Sequence, residues 1–126
     1  MEDVTACDGP GSDAWFDETT ARREASTADY ASWDEYTTME EYGDYAARAE
    51  ERYQAQLSQK TVNCLETLQE HVVEFFRLEW KMYEAASEGN YELADEYDLA
   101  SIESDEAASN EFNRLADEYD WTVIEE

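Results

Sequence analysis

The sequence predicts an all-α fold: a helical bundle with three main helices, at about 38–58, 62–88 and 91–120, behind an acidic N-terminal segment that is irregular or short-helical. Three observations carry this expectation. The 126 residues include one proline (Pro10) and four glycines, and neither type occurs from Asp44 to Glu88. Ala, Glu, Gln and Leu, which lose little on entering a helix, are abundant. Apolar side chains recur at alternating steps of three and four, the spacing of one buried helix side.

Residues 1–12 read as a disordered lead and residues 13–126 as a single helical domain, divided into an acidic aromatic segment (13–36) and the bundle (37–126). The segment holds Trp15, Phe16, Tyr30, Trp33 and Tyr36, but its many Ser, Thr and Asp residues favour turns and caps, so one or two short helices are expected. Thr38 and Glu41 form a T-x-x-E capping box that opens the first main helix. Its stripe is Met39, Tyr42, Ala46, Ala49, Tyr53, Gln56 and Lys60. A second stripe runs through Leu65, Leu68, Val72, Phe75/Phe76, Met82/Tyr83 and Ala86, opposite a charged side that begins Glu66, Glu70, Glu74.

The apolar phase shifts across SQKTVN (58–63), which predicts a turn. The rival is one helix from 38 to 88, whose unpaired half would call for a homodimer. Gly89 supplies a C-cap and Asn90 a new N-cap. The third stripe is Leu93/Ala94, Tyr97, Ser101, Ser104, Ala108, Phe112, Leu115 and Tyr119, small enough in its middle to admit another helix closely. The string LADEYD stands at 93–98 and again at 115–120, 22 residues apart. That is about six helical turns, so both copies should face the same way.

Charge separates this chain from most helical bundles. It has 34 acidic residues against eight lysines and arginines, for a net charge of −26. Acidic disordered tails lack the apolar residues needed to offset chain ordering, whereas this chain has nine tyrosines, four tryptophans and four phenylalanines. The charge is uneven: residues 37–60 are nearly balanced at −2, while residues 89–126 hold thirteen acids and Arg114 alone, a net of −12.

Such a balance excludes direct nucleic-acid binding and anionic membrane surfaces, both of which require basic residues, and points to a basic protein partner. No stretch approaches the apolar length of a membrane span, and the N-terminus lacks signal-peptide character. Cys7 and Cys64 show no paired spacing, so a reduced, intracellular (cytoplasmic) chain is expected, with Cys64 a small buried hydrophobe. His71 is the sole histidine, and no nucleophile, phosphate-loop or metal-loop motif occurs. No enzyme activity, cofactor or metal site is therefore expected.

The candidate partner-binding residues are acids on helices: Glu92, Asp95, Glu96, Asp98, Glu103, Asp105, Glu106, Asp117, Glu118 and Asp120 on the third main helix, and Glu66, Glu70 and Glu74 on the second. Carboxylates four apart repeat about every 6 Å along a helix axis, the scale of phosphate spacing along a nucleic-acid strand. Glu79 is the exception, because helical phase puts it on the apolar side, where Arg48 or Arg52 could pair with it. Trp15, Trp33, Trp80 and Trp121 fit the core stripes least and read as interface anchors.

In size, acidity, aromatic content and helical acid rows such as ADEYD, the chain resembles the small DNA-mimic inhibitors of phages and mobile elements, the antirestriction and anti-CRISPR proteins. The resemblance is one of class. It implies a non-enzymatic inhibitor that occupies the basic nucleic-acid channel of a target, such as a host defence nuclease, in competition with DNA or RNA. Two alternatives stand beside it: an acidic chaperone or antitoxin-like protein held through the N-terminal aromatics, and a generic acidic surface of the halophilic kind.

Overall fold

A computed structural model describes the backbone of residues 10–119 and the side chains of 14–119. Among the described residues there are four α-helices and no strand: α1 (Pro10–Ser32), α2 (Met39–Leu57), α3 (Glu66–Ser87) and α4 (Tyr91–Glu118), with a 3-10 turn at Asn63–Leu65 leading into α3. The three main helices fall where the periodicity puts them. The fourth is a correction: residues expected to be irregular or short-helical form one 23-residue helix. It starts at Pro10, inside the expected lead, at the first-turn position where a missing N–H costs nothing. Residues 1–9 lie outside the described residues.

The ends of the helices follow local chemistry. Thr38 Oγ1 accepts from the Glu41 N–H at 3.1 Å, and the Glu41 carboxylate accepts from the Thr38 N–H at 2.8 Å, completing the capping box. The chain turns between Leu57 and Asn63, so the single long helix of the rival expectation does not form. At the α3–α4 corner Gly89 takes φ 80°, the left-handed conformation that favours glycine. Its N–H donates to Ala86 O at 3.0 Å and that of Asn90 to Ala85 O at 2.9 Å, the paired bonds of a Schellman turn. The Asn90 side chain then caps α4 through the Leu93 N–H.

α3 lies between α2 and α4 and packs closely along both. Two apolar clusters fill the bundle. One gathers Trp15, Leu65, Leu68, Val72, Phe76, Ala108 and Leu115; the other Tyr42, Ala46, Ala49, Met82, Tyr83, Ala85, Ala86 and Ala94. The small middle of α4, with Ser101 and Ala108 buried, admits α3. Both copies of LADEYD have alanine buried, Asp and Glu exposed and tyrosine half-buried, as far as Tyr119, while the leading leucine is half-buried at Leu93 and buried at Leu115. Met39 and Lys60, at the two ends of the α2 stripe, are exposed instead of buried.

α1 packs on the bundle through polar side chains. Trp15, Thr19, Arg22, Ser26 and Asp29 along its inner side, and Trp33 just past its end, follow at steps of four and three, all buried or half-buried. Trp15 Nε1 donates to Gln69 Oε1 at 2.8 Å, and Arg22 Nη1 donates to Gln56 Oε1 at 2.6 Å. Gln56 is 0% exposed, and its amide also bonds Thr19 and Gln69. Trp15 is 2% exposed, a core residue and not the interface anchor its sequence context suggests. Trp33 and Trp80 pack at the edge of the second cluster, and Trp121 lies outside the described residues.

Candidate acidic interaction surface

The two kinds of acid in this chain are placed differently. Glu79 is 4% exposed and sits between the two apolar clusters. Arg52 Nη2 donates to it at 3.1 Å, and the Ser26 hydroxyl donates to its second oxygen. Arg52 also bonds Asp29 at 2.9 Å, and Arg48 bonds Asp29 at 3.1 Å. Glu79 is thus a paired core glutamate, with Arg52 as its partner. Burial holds its pKa above the usual carboxylate range, against the pull of Arg52 and Ser26.

The outer side of α4 is the opposite case. Glu92, Glu96, Leu99, Glu103, Glu106, Asn110, Asn113 and Asp117 follow at alternating steps of four and three, and every one is exposed. At 1.5 Å per residue this line is about 37 Å long. Asp95 stands beside its first turn, also exposed. None of the six carboxylates on this side has a cation within ion-pair distance among the described residues.

The other predicted site residues divide. Asp98 accepts from the Tyr30 hydroxyl at 3.2 Å and is half-buried, and desolvation followed by the nearby Asp95 raises its pKa against that bond. Asp105 pairs with Arg23 of α1 at 2.5 Å, and Glu118 with Arg114 at 2.6 Å. Asp105 and Glu118 are thus neutralised within the fold, whereas Asp98 has a neutral hydroxyl as its partner and keeps its charge uncompensated. On α3, Glu66 and Glu70 are exposed, whereas Glu74 is bound by Arg77 at 2.7 Å, which lowers its pKa. Asp120 lies outside the described residues.

Three apolar residues of this region escaped the acid pattern. Tyr91 (50% exposed), Leu99 (64%) and Ile102 (47%) stand in solvent among the carboxylates. Helical phase was the available signal, because Leu99 falls in line with Glu92, Glu96 and Glu103 and away from the Leu93–Leu115 stripe.

Among the described residues no group of carboxylates, cysteine and histidine is arranged to hold a metal ion, and no helix is long and apolar enough to cross a membrane. Cys64, packed against the first apolar cluster, is disulfide-bonded, which corrects its expectation as a reduced hydrophobe. Cys7, the other cysteine of the chain, lies outside the described residues. Comparison with protein-family models, with curated proteins and with solved structures gives no match to this chain.

Proposed function

We propose that this protein is a DNA-mimic inhibitor, which lays the outer side of α4 into the basic nucleic-acid channel of a target such as a restriction enzyme or CRISPR effector. One observation carries the proposal: a straight line of exposed, unneutralised carboxylates about 37 Å long, close to the 34–36 Å of one turn of duplex DNA. Its five acids, with Asp95 beside them, average one per about 6 Å, sparser than the one phosphate per 3.4 Å of a strand. Charge therefore supplies encounter and orientation, and Tyr91, Leu99 and Ile102 supply apolar contact. The chain itself performs no chemistry on its target.

The N-terminal aromatics give the rival hydrophobic reading little surface. Trp15 is in the core and Phe16 and Trp33 pack against it, which leaves Tyr30 and Tyr36 exposed. Removal of residues 1–36 would strip α1 from the bundle and so cannot separate the readings. The deciding experiment is capture of the basic target at low and high salt, followed by competition with duplex DNA. Release by DNA is expected, together with loss of capture by a chain bearing Glu96→Lys, Glu103→Lys, Glu106→Lys and Asp117→Lys at unchanged helicity. Capture indifferent to DNA would remove mimicry and favour an acidic chaperone or antitoxin-like protein.

A further inference from the structure

At the Gly89 end of the bundle α2, α3, α4 and the residue that follows α1 line one small cavity of about 90 Å³. Its walls include Trp33 just past the end of α1, Tyr42 of α2, Tyr83 of α3 and Tyr91 of α4, together with Asp95 and Asp98. Tyr42 is the hub. Its ring centroid lies 6.1 Å from that of Trp33 and 6.2 Å from that of Tyr91, with the planes inclined at 58° and 63°. The rings therefore wrap the space instead of stacking across it.

The volume is that of about three water molecules, the room of a single ammonium or guanidinium head. We infer that this cavity receives the head of one lysine or arginine side chain of the basic partner, an aromatic cage closed by two carboxylates at the first turns of the acidic line. The inference deepens the function proposed above and rests on it for the source of the cation.

Three features select a cation over an apolar or anionic occupant. Aromatic faces carry negative potential and attract cations, most strongly where water is excluded. Asp95 and Asp98 add full charges, and no cation lies within ion-pair distance of either among the described residues. Their mutual repulsion, added to the desolvation of Asp98, is what a bound cation would relieve. Finally, Tyr83 is fully buried, and its hydroxyl has only the Trp33 indole N–H turned towards it, neither atom making a hydrogen bond of good geometry, which leaves a lone pair on the oxygen that an ammonium or guanidinium N–H would use. Tyr91, half-exposed at the mouth, is the wall that can move to admit the side chain.

The test uses the full chain and three small probes: N-acetyl-arginine methylamide, N-acetyl-lysine methylamide and, as a neutral control, N-acetyl-glutamine methylamide. The expected result is a saturable NMR shift of the Trp33 indole N–H and the Tyr91 ring with a cationic probe and none with the glutamine compound. Tyr91→Ala should weaken that binding roughly five- to thirty-fold, the range a cation–π contact spans from exposed to desolvated sites. Asp95→Asn should weaken it as well, and Glu106→Gln, on the same line beyond the cavity, should leave it unchanged. Tyr91 is exposed enough for its removal to spare the fold, which circular dichroism checks. Equal shifts with the glutamine probe, no saturable shift at Trp33, or wild-type affinity in Tyr91→Ala would each overturn the inference. DNA competition fails or succeeds independently of these shifts, so loss of the cage and loss of the mimic are distinguishable.

Discussion

α1 and α4 each carry a line of mainly polar residues at steps of three and four, and the two lines meet opposite fates. On α1 the line Trp15–Thr19–Arg22–Ser26–Asp29–Trp33 faces inward, and its polar members from Thr19 to Asp29 bond to α2 or α3. On α4 the line from Glu92 to Asp117 faces solvent, with no cation at ion-pair distance among the described residues. The same periodicity thus builds an internal seam in one place and an external surface in the other. What differs is the supply of partners. Arg48, Arg52 and Gln56 on α2, Gln59 in the turn after it and Gln69 on α3 stand ready for α1, and the described residues offer no such set to the outside of α4. A partner for the second line has to come from elsewhere.

The largest effect that could break this contrast is at Arg52. Arg52→Ala leaves Glu79 and Asp29 facing each other in the interior with their shared cation gone. Removing one member of a buried pair costs about 3–5 kcal/mol, so urea denaturation should show a loss of that size. A loss below about 1 kcal/mol would mean that the α1 seam is as dispensable as a surface pair. Gln56→Ala comes next. It leaves Thr19 without its partner and takes one bond each from Arg22 and Gln69 around a fully buried site, which should cost about 1–3 kcal/mol by the same measurement.

The line on α4 should respond with the opposite sign. Glu92/Glu96 and Glu103/Glu106 are like-charge neighbours one turn apart, each pair destabilising by about 0.2–0.5 kcal/mol. Replacing Glu96, Glu103 and Glu106 with Gln and Asp117 with Asn should therefore stabilise the free protein by about 0.5–1 kcal/mol. The gain should shrink as salt screens the charges. The same variant should lose its target. Lost stability instead would show that these carboxylates serve the fold.

The contrast also explains what the sequence made legible. Stripes of apolar residues revealed α2, α3 and α4, because hydrophobic burial leaves a pattern that periodicity detects. Glu79 was visible because a lone charge in an apolar stripe demands a partner. α1 was not, because Thr19, Arg22, Ser26 and Asp29 are turn-like or surface-like in composition, and only the facing glutamines and arginines make them a buried line. The acids of α4 were legible as a group. Which of them the fold consumes was not, since Asp98, Asp105 and Glu118 differ from their neighbours by Tyr30, Arg23 and Arg114, two of them more than sixty residues away in sequence.

The subtlest expected effect lies in the pH dependence of stability. Most proteins lose stability on acidification because paired carboxylates must be protonated, and Glu74 and Glu111, held low by Arg77 and Arg114, contribute in that sense below the ordinary glutamate range. Glu79 works the other way. Burial raises its native pKa, so between the ordinary glutamate value and the raised one the native state binds more protons than the unfolded chain. In that window stability falls as pH rises, and Asp98 has the same sign. Self-repulsion at a net charge of −26 adds to the trend. Melting temperature should therefore increase as pH is lowered from 8 towards 5. Glu79→Gln retains an acceptor for Arg52 and Ser26 but has no proton to exchange, so its curve should be flatter and should lie closest to wild type at the acid end. Parallel curves would assign the whole pH dependence to the exposed acids and remove Glu79 from it.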